Sequence, residues 1–117
     1  MKRLVAAFVV ASALACGSTE EPAPSCTAVL PSCPSSGAPG YRTTVAPLIA
    51  STCLSCHAPG GEQSSRSFDT YTKLHTQRSP ALNQIHACTM PPVDGPRLSD
   101  ADRTTLMTWF VCGAPDN

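Results

Sequence analysis

The sequence predicts an all-α domain, and three observations make the case. Apolar residues recur at helical spacing near both ends of the unit that begins at Tyr41, and good helix caps bracket the last apolar stripe. No stretch alternates apolar and polar residues as a half-buried strand does. The unit covers residues 41–117, about 77 in all, a size at which one hydrophobic core is marginal, so a disulfide, a metal or a cofactor is expected to reinforce it.

The elements follow in chain order. Lys2 and Arg3 precede an apolar run over residues 4–15, the pattern of a signal peptide, and the run is too short to span a membrane. Cys16 follows Ala13-Leu14-Ala15 and precedes Gly17, which resembles the lipobox of bacterial lipoproteins, where cleavage precedes a cysteine that is then acylated. Leu14 stands one place later than the leucine such boxes favour, so plain secretion is the competing reading; either way the chain is exported to the periplasmic side. Residues 16–40 are dense in Pro, Ser and Gly and show no apolar period, as expected of a flexible linker between a lipid anchor and the domain.

In the entry segment, Val45, Leu48, Ile49 and Thr52 fall at i, i+3, i+4 and i+7, Thr43 or Thr44 can cap, and Pro47 is tolerated in a first turn. The helix they predict runs into Cys53. Two short helices are expected over residues 69–74 and 80–87, broken at Arg78-Ser79-Pro80. The last helix starts at the N-cap Ser99, with Asp102 as its capping-box partner and Asp100 favoured by the helix dipole, and stops at Gly113 before Pro115. Leu106, Trp109 and Phe110 form its apolar stripe and Met107 fills core, so this helix is expected to pack on the first.

Charge narrows the function. Eight basic residues balance eight acidic ones, and loss of residues 1–15 removes Lys2 and Arg3, leaving a mildly acidic mature chain. No basic patch supports nucleic-acid binding, and no carboxylate pair or nucleophile with a base suggests hydrolysis.

The chemistry lies in Cys53-Leu54-Ser55-Cys56-His57. Three uses fit such a cluster: a redox-active disulfide, half of a zinc site, or covalent haem attachment with the histidine as iron ligand. Zinc needs a second close pair of ligands, whereas Cys26 and Cys33 are seven apart and Cys88 and Cys112 flank a helix. A thioredoxin-like motif needs a βαβ context that this chain lacks. Haem attachment explains the spacing, since cysteines a helical turn apart can each form a thioether to one porphyrin vinyl group while the next residue offers its imidazole to iron. A sixth ligand is available in Met90, followed by Pro91 and Pro92, which hold the chain extended; His86 and His75 are the competing donors, and an open site is the third possibility.

With these residues in place, the chain resembles the small class I cytochromes c over about residues 41–115: an entry helix into Cys53-Leu54-Ser55-Cys56-His57, then Met90-Pro91-Pro92, then a capped terminal helix bearing Trp109. The resemblance implies one covalent haem c, with Cys53 and Cys56 as thioether anchors, His57 as proximal and Met90 as distal iron ligand. It implies contact between the entry helix and the helix bearing Trp109. The family usually has a proline well downstream whose carbonyl holds the proximal imidazole, whereas here Pro59 comes only two residues after His57, which leaves that partner unassigned.

The resulting expectation is a monohaem electron carrier rather than an enzyme. It would serve redox partner proteins at the membrane surface and bind no small-molecule substrate; a haem subunit of a larger oxidoreductase or an open-site haem sensor or peroxidase is the alternative. The remaining cysteines, Cys26, Cys33, Cys88 and Cys112, allow three pairings, of which Cys88 with Cys112 and Cys26 with Cys33 are expected, the former tying the methionine loop to the end of the last helix.

Overall fold

The structure is a computed structural model that describes residues 29–117. The signal peptide, Cys16 and Cys26 lie outside the described residues. Within them the protein is all-α, with helices α1 (Ala46–Thr52), α2 (Tyr71–Thr76), α3 (Arg78–His86) and α4 (Asp100–Val111) and no strand.

The entry helix begins earlier than expected. A π-helical turn, Tyr41–Val45, precedes α1, and neither Thr43 nor Thr44 caps it. The cause is Pro47, whose ring in a regular α-helix would collide with the carbonyl four residues back; the wider π turn makes room for it. The exposed amides of this start are satisfied from the other end of the chain, since Tyr41 N donates to Asn117 Oδ1 (2.8 Å) and Arg42 N to the Asn117 carbonyl (3.2 Å).

The middle helices are shifted rather than lost. Thr70 caps α2, its hydroxyl accepting from Lys73 N, so the helix starts at Tyr71, while Asp69 stays outside it and takes the Lys73 ammonium at 2.8 Å. The break falls at Gln77, not at residues 78–80. Those residues form the first turn of α3, where Pro80 loses no hydrogen bond because the amides there have no intrahelical partner.

Helix α4 matches the sequence closely. Ser99 Oγ accepts from Asp102 N (3.1 Å) and also donates to Asp102 Oδ2 (2.7 Å). At the far end Gly113 takes φ +89°, a conformation cheap only for glycine, and the Ala114 amide bonds back to the Trp109 carbonyl at 2.9 Å. Leu106, Met107, Trp109 and Phe110 are all buried, Trp109 completely, and join Val45, Ile49, Leu74 and Ile85 in one core. The π turn packs on α4, with Tyr41 stacked on Trp109 at 5.6 Å between ring centroids, and α3 packs along α4.

The disulfide pattern differs from the sequence expectation. Cys112 pairs with Cys33, 79 residues away, and not with Cys88; Cys33 is thereby also withdrawn from Cys26. Cys88 is itself disulfide-bonded. The reason is spatial: the chain before Tyr41 folds back along the domain, with Ala38 packed against the core, so Cys33 meets the C-terminal end of α4 at a Cα separation of 5.0 Å. Part of the stretch read as linker, residues 33–40, is therefore stapled to the folded unit.

Candidate functional site

Helix α1 delivers the chain into one further turn that carries the cysteine cluster. The Cys53 carbonyl accepts from Cys56 N (3.2 Å) and from His57 N (2.8 Å), so the two cysteines stand one helical turn apart and share a side. Both are free thiols, whereas Cys33, Cys88 and Cys112 are oxidised. Burial pushes the Cys53 thiol up, only partly offset by the Thr52 hydroxyl at 3.4 Å. The surroundings of Cys53 therefore favour its neutral thiol over the thiolate.

The turn is held by the loop behind it. Gln63 N donates to the Cys56 carbonyl (2.9 Å), and Gly61 lies so close that a Cβ there would sit 2.3 Å from that oxygen. Glycine at 61 is thus a packing requirement. His57 is fixed by residues 66–68. Its carbonyl accepts from Phe68 N (2.8 Å), its ring stacks on Phe68 at 4.4 Å and 10°, and its Nδ1 lies 2.9 Å from the Arg66 carbonyl. A carbonyl only accepts, so Nδ1 carries the proton and Nε2 keeps its lone pair for another partner. The missing partner of His57 is therefore the Arg66 backbone, supplied by the short 3₁₀ turn Ser64–Arg66.

Met90 reaches the same place from the loop after α3. After α3, Cys88 turns the chain at φ +59°, Met90 N bonds the Gln84 carbonyl (3.2 Å), and a cis peptide joins Met90 to Pro91. Cys53, Cys56, His57 and Met90 together line one cavity of about 530 Å³, walled by the apolar side chains of Phe68, Ile85, Leu98 and Leu106. That volume lies in the range of cofactor and ligand sites. Neither His75 nor His86, the alternative donors, lines it. A second cavity, about 570 Å³, lies between residues 59–67 and α2 and is lined largely by hydroxyls, with no sulfur or imidazole donor.

Among the described residues no group of three or more His, Cys, Asp or Glu side chains could hold a metal ion. The donor set in the 530 Å³ cavity is of another kind. One imidazole and one thioether suit an iron whose four other ligands come from a porphyrin, and two free thiols in the same wall suit its covalent attachment.

Three contributors escaped sequence reasoning. Arg66 acts through its backbone carbonyl, which side-chain identity does not encode, and Phe68 lies in a stretch without period. Arg103 left a trace: it stands three residues before Leu106 and seven before Phe110, a charge on the apolar stripe, and the structure buries it to 5% exposure. No protein-family model matches the chain, and no curated protein or solved structure does either.

Proposed function

We propose that this chain is a small monohaem cytochrome of the class I c type, an exported one-electron carrier held at the membrane surface by a lipid on Cys16. The observation that carries the reading is the convergence on one apolar cavity of two free thiols a turn apart, the adjacent imidazole, and a thioether that lies 33 residues beyond His57 in the sequence. When bound, the haem supplies an iron that gains or loses one electron.

The protein's own residues divide the remaining work. Cys53 and Cys56 would hold the porphyrin by thioethers. His57, with its Nδ1 proton committed to the Arg66 carbonyl, would offer Nε2 to iron, and that hydrogen bond fixes the tautomer and the orientation of the ring. Met90 would offer its thioether sulfur to the same iron, a donor that favours a higher potential than a second histidine. Phe68, Ile85, Leu98 and Leu106 exclude water and lower the local dielectric, which disfavours the more highly charged oxidised state. With His57 and Met90 both bound, the protein would supply every donor that the porphyrin does not. Such a site passes electrons to redox partner proteins and leaves no place for a substrate, so the carrier reading is preferred to a gas sensor or peroxidase. Among the described residues no helix is long and apolar enough to cross a membrane; the lipid anchor at Cys16 rests on the sequence around that residue.

The test is optical. Ferric haem bound to a thioether has a weak charge-transfer band in the red that histidine ligation lacks. Met90→Ala should abolish it and lower the potential, and His86→Ala should change neither. The reverse pattern transfers the ligand to His86 and removes the basis for Met90.

A further inference from the structure

We infer that Arg103 is a positioning residue for the methionine ligand, holding Met90 toward the cavity from behind; this rests on the haem reading above. Arg103 is a charged side chain inside the core stripe of α4, and its burial needs a reason. Among the described residues the ion pairs are Arg42 with Asp116 and Lys73 with Asp69, so no carboxylate there accounts for Arg103. Its guanidinium spends its donors on backbone instead. Nη1 donates to the Ile85 carbonyl at 2.7 Å and to the Met90 carbonyl at 3.2 Å.

These two acceptors belong to different parts of the site. Ile85 lies in the last turn of α3 and Met90 in the loop beyond it, so one planar cation bridges helix α4, the end of α3 and the ligand loop. Met90 is thereby fixed on both sides of its Cα: its amide bonds the Gln84 carbonyl at 3.2 Å and its carbonyl is taken by Arg103. In the loop beyond, Val93 is 93% exposed, and the hydrogen bond from Gly95 N to the Pro92 carbonyl is internal to the loop. On the amino side Met90 is backed by Thr89, whose amide and hydroxyl both bond the Gln84 carbonyl, and by the disulfide at Cys88; on the carbonyl side its hold is the bond from Arg103. Because both bonds leave the single nitrogen Nη1, a lysine ammonium could donate to the same two carbonyls, but from a shorter-reaching, flexible stem that fixes them less firmly.

An added ligand that competes with Met90 for the iron has to move this residue, and its affinity reads how firmly the residue is held. Wild type, Arg103→Met, Arg103→Lys, Met90→Ala and Leu74→Ala are matured with covalent haem, and imidazole is titrated into each ferric protein. Arg103→Met fills the same space without donors and should bind imidazole at least tenfold more tightly, with a weakened red band and a lower potential. Arg103→Lys should fall between it and wild type. Leu74→Ala cuts into the same core away from this cavity, and should lower the melting temperature while leaving imidazole affinity at the wild-type value. Wild-type affinity in Arg103→Met, or an equal gain in Leu74→Ala, overturns the assignment. Should Arg103→Met yield no folded protein, Arg103→Lys decides: about threefold tighter binding supports it and none refutes it. Met90→Ala separates the two levels of the argument. If it binds imidazole no better than wild type, Met90 is not the ligand and the parent reading fails first; if it binds far better while both Arg103 variants match wild type, only the positioning role fails.

Discussion

Replacing Cys33 and Cys112 together by Ser tests how this small domain is held. The bond joins positions 79 apart, so it closes a loop of about 80 residues. In the chain-entropy model such a loop costs the unfolded chain about 15 cal/mol/K, or about 4.5 kcal/mol of stability at 25 °C. The bond at Cys88 also restricts the unfolded chain, which makes 4.5 kcal/mol the upper figure; about 3 kcal/mol, the value for a 15-residue loop, is a reasonable lower one. Urea unfolding of the full-length variant, followed by far-ultraviolet circular dichroism, should show a loss between these limits and a fall in Tm of at least about 12 °C. A loss below about 1 kcal/mol would refute the reasoning. So would a non-reducing digest of the wild type in which the Cys112 peptide is joined to the Cys88 peptide.

Three other perturbations probe separate parts of the account. Gly61→Ala places a methyl group 2.3 Å from the Cys56 carbonyl, with backbone on both sides, and should cost about 2–3 kcal/mol and reduce haem incorporation, measured by urea unfolding and by haem absorbance per chain. Hydrogen bonds from Lys73 and Ser67 hold the Asp69 carboxyl below the usual carboxylate range, so its contribution is present above the unfolded value of about 3.9 and is lost as pH falls through the lower folded value. Asp69→Asn should accordingly lower the urea midpoint at pH 5–7, and the difference from wild type should close below about pH 4; a gap that persists to pH 2 contradicts this assignment. Cys16→Ser should abolish labelled palmitate uptake and release the haem protein from membranes in a lipoprotein-processing host, since two or more acyl chains are needed for stable anchoring.

Much of the helical frame was legible in the sequence because it is written in local signals. Ser99, Asp102 and Gly113 mark α4 by capping chemistry that acts within a few residues, and Leu106, Trp109 and Phe110 mark its buried face by spacing alone. The cysteine cluster was equally plain, since its spacing is a single helical turn. What stayed hidden depends on distant parts of the chain or on backbone atoms. The Arg66 carbonyl that holds His57 could be any residue's carbonyl, and only the turn at Ser64–Arg66 brings it there. The Cys33–Cys112 bond follows from the path of residues 33–40 over the domain, for which composition gave the opposite impression. Pro47 marks a first turn in the sequence, but the helix start at Tyr41 is held by contacts from far along the chain, the Tyr41 ring on Trp109 and the bonds to Asn117.

The most direct test of the central claim is the mass of the mature protein made with c-type haem maturation machinery and then fully denatured and acid-extracted. One haem per chain should survive this treatment and be lost when Cys53 and Cys56 are both replaced by Ala. An apo mass after competent maturation, or a haem that washes out on denaturation, would contradict it.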